Sequence, residues 1–105
     1  MIPFTLPDEN DFIFSATLDG VVFKLWFQWN ERAKHWVLGL QDANGVPMVL
    51  GVKLVPSFPL MRVHRTPSTP AGEFVVISKS TAAPGRLDFV NGLAMFCYVL
   101  ESELG

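Results

Sequence analysis

The chain has a single cysteine, Cys97, in 105 residues. No internal disulfide can form, so the fold does not depend on an oxidising compartment. Charge is scarce as well: 17% of residues are charged, the formal net charge is −2, and the eight Lys and Arg are scattered without a run. A partner built on a phosphate backbone needs clustered basic residues, so no nucleic-acid partner is expected. No apolar stretch approaches the ~20 residues of a membrane-spanning helix, and no membrane anchor is expected. The opening residues carry Pro3, Pro7, Asp8, Glu9 and Asp11, with no basic segment ahead of an apolar one, so they do not read as a secretion signal. There are only two histidines, His35 and His64, far apart and with no Cys or carboxylate at metal-ligand spacing. A Gly-rich phosphate loop, a nucleophile elbow and a paired acid and base are all missing. No catalytic residue, metal or cofactor is therefore expected, and the chain reads as a non-enzyme.

Hydrophobic residues make up 50% of the chain, which argues against intrinsic disorder. A chain of this length buries roughly two thirds of its unfolded surface, enough for one core. Three divisions are expected: an extended N-terminal arm over residues 1–10, a single β domain over 11–100, and a short tail over 101–105. The fold class is all-β, an antiparallel meander closing into a small barrel or sandwich with little or no helix. Residues 11–54 carry the signal, because apolar and polar or small residues alternate there between closely spaced turn signals.

The registers can be worked out by hand. Asp19 and Gly20 form a two-residue hairpin turn of the primed type. Folding there sets Leu18 against Val21, Ala16 against Phe23, Phe14 against Leu25 and Phe12 against Phe27, all apolar and all on one face. Thr17 with Val22, Ser15 with Lys24 and Ile13 with Trp26 fall on the other. A slip of one residue would turn one strand's apolar set outward. At Asn44 and Gly45, a three-residue loop of Ala43, Asn44 and Gly45 keeps one apolar face. It predicts the pairs Leu40 with Met48, Leu38 with Leu50 and Trp36 with Val52. The polar connection around residues 30–34 fits either a tight turn or one helical turn. Further strands are predicted over 73–80, expected to be central, and over 93–100, where β-branched and aromatic content favours strand over helix. Residues 80–92 read as a turn-rich connection.

The remaining candidates each have two readings. In the arm, Phe4 and Leu6 offer an alternating apolar face, either an edge strand closing the sheet or an arm that docks on a neighbouring subunit. Residues 55–72 hold Pro56, Pro59, Pro67 and Pro70 and form a long connection, pinned to the core by Phe58, Leu60 and Met61 or offered to a partner through Phe58, Leu60 and Arg62. Trp26 falls on the face opposite Phe23, Leu25 and Phe27. That face is either covered or an interface. His35 reads as a surface side chain, Arg62, His64 and Arg65 as solvated loop charge, and Cys97 as a buried, inert thiol. Two rival functions are a small β-barrel adaptor or ligand- or nucleic-acid-binding module, disfavoured by the charge, and an enzyme site assembled from Ser57, His64 and Asp88.

One ordered set of residues goes further. Leu18, Asp19 and Gly20 are followed by Trp29, Asn30, Glu31 and Arg32, then Trp36, Leu38, Asp42, Gly45 and Gly51, then Leu54, Val55, Pro56, Pro59 and Leu60. An acidic, glycine-containing turn over residues 88–92 leads into an apolar strand with Tyr98. The set resembles the phage baseplate plug family of contractile-tailed bacteriophages, over about residues 10–100. The resemblance implies a virion structural protein near the central hub and spike, stabilising the tail end before contraction. It implies partners among hub, spike, inner wedge or tube components, a homo-oligomer with a trimer as the expected form, and a place in the virion tail baseplate after assembly in the host cytoplasm.

Overall fold

The computed structural model describes residues 1–62, 66, 68–80 and 82–104. The described residues form β1 (Ile2–Phe4), β2 (Asp11–Leu18), β3 (Val21–Asn30), β4 (His35–Asp42), β5 (Pro47–Lys53), β6 (Glu73–Ser78) and β7 (Ala94–Val99), followed by one 3-10 turn over Glu101–Glu103. Two antiparallel sheets result, a meander in the order β2-β3-β4-β5 and a smaller sheet in the order β1-β7-β6. Neither sheet closes on itself. The all-β expectation holds, and no α-helix occurs among the described residues.

The first hairpin forms in the predicted register, with Leu18, Ala16, Phe14 and Phe12 against Val21, Phe23, Leu25 and Phe27. Asp19 and Gly20 both take positive φ, 50° and 81°, as a primed turn requires. Asp19 has a second task that the turn signal conceals. Its Oδ2 accepts hydrogen bonds from the buried Tyr98 hydroxyl at 2.7 Å and from the Glu101 N–H at 3.1 Å, which ties the hairpin to the end of β7. Replacing Asp19 and Gly20 together by alanine puts two alanines in a left-handed turn and removes the carboxylate that accepts from the Tyr98 hydroxyl. The expected loss is about 2–3 kcal/mol. Thermal unfolding checks it: Tm should fall by ~10 °C or more, and an unchanged Tm contradicts the turn.

The last hairpin of the meander differs from expectation in an instructive way. The loop itself is the predicted one: Gly45 N donates to Asp42 O at 3.0 Å, Asp42 N to Val46 O at 3.0 Å, and Gly45 has φ 82°. The strand beyond it slips twice. Gln41 faces Pro47, but Leu40 then faces Val49 and Leu38 faces Val52. The predicted pairs of Leu40 with Met48, Leu38 with Leu50 and Trp36 with Val52 do not form. Gly51, at φ 77°, supplies the left-handed residue of the second bulge. The slip leaves Val52 and Leu54 on the core side, where the predicted face also had Val52, but turns Leu50 outward to 56% exposure.

The connection over residues 31–34 is one helical turn, closed by Lys34 N donating to Asn30 O at 2.7 Å, with Lys34 left-handed at φ 59°. The Asn30 side chain accepts from Ala33 N at 3.0 Å, the local bonding that favours such a turn. The N-terminal residues form an edge strand, β1, on β7. β6 is terminal rather than central, because β7 takes the middle position. Its outer edge is nonetheless occupied. Pro56 bridges Val76 in parallel, Ser57 N donates to Val76 O and Leu60 N to Phe74 O, each at 3.0 Å.

The two inner faces share one core, and aromatic rings carry it from sheet to sheet. Phe27 of β3 stacks on Phe12 at 5.1 Å and Phe14 at 5.7 Å and meets Phe96 of β7 edge-on at 5.0 Å. Phe96 stacks on Phe74, and Phe74 meets Tyr98. At the other end Trp36 packs against Phe12, Trp29 and Phe89. Trp36 donates to Gly85 O at 3.2 Å and lies under the Arg86 guanidinium at 5.6 Å, so the connection over residues 85–89 caps that end.

Candidate docking surface

Alternation along β3 buries Phe23, Leu25 and Phe27 and turns Lys24, Trp26 and Gln28 outward. On that outer face the pairing sets Ile13, Trp26 and Gly39 in a row across β2, β3 and β4. Gly39 is the reason the row is flat. A Cβ there would meet Leu50 Cδ2 at 3.2 Å and Trp26 Cε3 at 3.5 Å, so the indole and the leucine close over bare backbone. Ile13 is 49% exposed and Leu50 56%, while Trp26 is half-buried. The indole N–H donates to Asp11 Oδ1 at 2.6 Å, and Gln28 reaches the other carboxylate oxygen at 3.4 Å. The result is an apolar row across four strands with its one polar group already satisfied, a shape suited to a partner surface.

The long connection contributes a second exposed element. Ser57 is left-handed at φ 58°, and the residue after it, Phe58, is 42% exposed. Leu60 and Met61 are buried, and Glu73, itself buried, accepts from the Met61 N–H at 2.6 Å and the Phe74 N–H at 2.9 Å. Arg62, the next residue, is exposed. The segment is thus pinned by its own apolar residues while Phe58 and Arg62 remain at the surface. Phe58 lies beside β6 and is not part of the Trp26 row.

The model of the family described as cyanophage baseplate Pam3 plug gp18 matches residues 1–101. The chain belongs to this family. The match spans every strand of the plug-family fold, including both elements just described. A search of curated proteins gives no match.

The other candidates in this plug-family chain sit lower in the structure. Leu6 is buried in the shared core, and Phe4 is half-buried between Phe14 at 5.8 Å and Phe96 at 5.7 Å. Leu60 is 2% exposed, so like Leu6 it lies in the core rather than at a surface. Asp88 Oδ2 accepts from Gly85 N at 2.7 Å and so shapes a turn. Ser57 belongs to the corner at Phe58, and His64 and Arg65, with the His64 member of the Ser57, His64 and Asp88 grouping, lie outside the described residues. Burial raises the Cys97 thiol pKa above its ordinary value. Among the described residues no three His, Cys, Asp or Glu are grouped to hold a metal ion. Sequence reasoning placed Trp26 outward but missed Gly39 and Leu50. The signal for Gly39 was available, since a glycine in a strand interior marks close approach and simple register sets it opposite Trp26.

Proposed function

We propose that this chain is a structural component of a contractile phage tail baseplate, a plug near the central hub and spike that stabilises the tail end before contraction. Family membership over residues 1–101 is the observation that carries the reading. The plug works as a binding element without turnover. Its two sheets act as a sandwich-like rigid block, and the row around Trp26, together with Phe58 and Arg62, supplies the contacts to hub, spike, inner wedge or tube components. Leu6 and Leu60 lie in the block's core, with Phe4 packed against it. A plug must hold in the resting tail and release or rearrange on contraction, which suits moderate, mixed aromatic and polar contacts better than a large dry interface. Its copies follow the hub's symmetry as a trimer, assembled in the host cytoplasm and carried in the virion.

Trp26→Ala and Phe58→Ala test this reading. Neither residue fills the core, so each should lower stability by only about 1 kcal/mol. Incorporation into baseplates should fall much further, because aromatic anchors carry a large share of binding energy. Melting curves and tail composition measured side by side decide the point. A loss of stability that accounts for the whole assembly defect would make both ordinary packing residues.

A further inference from the structure

A sheet edge is a row of unpaired backbone donors and acceptors, and folded proteins blunt theirs with proline, lysine, bulges, short strands or a cover. Three of the four strand edges here are treated in that way. β1 is three residues long and carries Pro3. The outer edge of β6 is covered by the bonds from Ser57 and Leu60. β5 begins at Pro47, ends at Lys53 and slips register twice. Among the described residues β2 has none of these devices. It runs eight residues without proline, lysine or bulge, and no charge lies between Phe12 and Leu18.

The phase of the ladder says which groups face out. Leu18 and Val21 close the two-residue turn, and Trp29 N donates to Asn10 O at 2.7 Å. In an antiparallel pair, bonded and non-bonded positions alternate, so Asn10, Phe12, Phe14, Ala16 and Leu18 bond to β3. Asp11, Ile13, Ser15 and Thr17 then direct their N–H and C=O groups away from it. All four are exposed, and among the described residues none of those backbone groups has a partner.

We propose that β2 is a strand acceptor: an extended segment of another virion protein pairs along it and makes the meander five-stranded. The charges at its ends favour a foreign strand over a second copy. Asp11 and Asp19 bracket the neutral stretch, and Asp8 and Glu9 precede it. Two copies of β2 pairing antiparallel about Ser15 would set Asp11 of each against Asp19 of the other, and like charges placed opposite are destabilising. The incoming segment therefore has Lys or Arg at both ends and a β-branched or aromatic residue beside Ile13, where it prolongs the row through Trp26 and Leu50. This inference rests on the baseplate reading and adds to it the mode of attachment and the chemistry of the neighbour.

Ser15→Pro removes one outward N–H while leaving the bonds to β3 in place, as proline permits only at such edge positions. The variant should melt within ~5 °C of the parent, and its content in purified tails should fall by about tenfold or more. Normal incorporation of the folded variant overturns the proposal. Electron cryo-microscopy of parent tails decides the matter independently of the variant's folding. A strand about 4.8 Å from β2, on the side away from β3, with basic residues toward Asp11 or Asp19, is the expected result. A β2 edge left in solvent, covered without pairing, or paired with β2 of a second copy overturns it. Tails that lack the chain altogether overturn the baseplate reading, a failure distinct from a plug in place with its β2 edge free.

Discussion

Gly72→Ala is expected to cost about 4 kcal/mol or more, a large part of the 5–15 kcal/mol that holds a domain folded. A Cβ at Gly72 would lie 2.1 Å from the Val99 carbonyl oxygen and 2.6 Å from both Cζ and Oη of Tyr98. Neither neighbour can withdraw cheaply. Val99 is paired with Glu73 across β6 and β7, so moving its carbonyl breaks the ladder beside it. Tyr98 is fully buried, and its hydroxyl accepts from Gly72 N at 2.7 Å while donating to Asp19. A methyl group here therefore disturbs backbone, ring and hydrogen-bond relay together, more than the 1–3 kcal/mol usual for overpacking. Urea unfolding checks it. The midpoint should collapse, whereas a loss under about 1 kcal/mol would mean that the close approach at Gly72 is not present in solution.

Phe27→Ala is the second large effect, at about 3–5 kcal/mol. The ring has no exposure and joins Phe12, Phe14 and Phe96, so its removal empties the junction between the two sheets. Filling by neighbours is limited, because those rings are held on two strands, β2 and β7, of different sheets. Phe27→Leu should recover more than half of the loss by restoring volume. Trp26, one residue earlier, makes the contrast sharp. Both are large aromatics on β3, yet the outward one should cost about 1 kcal/mol in the isolated chain. Melting curves for the two alanine variants should differ by ~10 °C or more, and equal losses would contradict the assignment of faces.

The sequence told most where two local signals agreed. At Asp19 and Gly20 the turn chemistry and the apolar alternation demanded the same register, and that register formed. At Ala43, Asn44 and Gly45 the loop was legible but the strand after it was not. Bulges at Met48 and Gly51 add residues on one side, and alternation alone cannot distinguish a bulged strand from a straight one. Gly51 carried the hint, since glycine inside a strand often takes the left-handed position of a bulge. The terminal place of β6 was hidden for a different reason. Its apolar content comes from being covered at its edge by residues 56–60, a tertiary contact that no local pattern encodes. Tyr98 and Asp19 are 79 positions apart, and their bond likewise appears only in the folded chain.

The candidate docking surface was half legible. Register placed Trp26 on the outer face, but its exposure depended on what lay across β4 and β5. Gly39 and the slipped Leu50 settled that: the first follows from simple register with β3 and the second from the bulges. Among the loop candidates, composition could not tell Phe58 from Leu60. The left-handed corner at Ser57 and the bond from Leu60 to β6 separate them, sending one outward and the other into the core.

The most direct measurement is the location of the chain in purified phage tails, by electron cryo-microscopy joined to mass spectrometry of the same particles. A plug should appear at the baseplate, on the tail axis beside the hub, with the outer face of Trp26 and Leu50 or the corner at Phe58 against a neighbour. Tails without the chain, or with it elsewhere than the baseplate, would contradict the assignment.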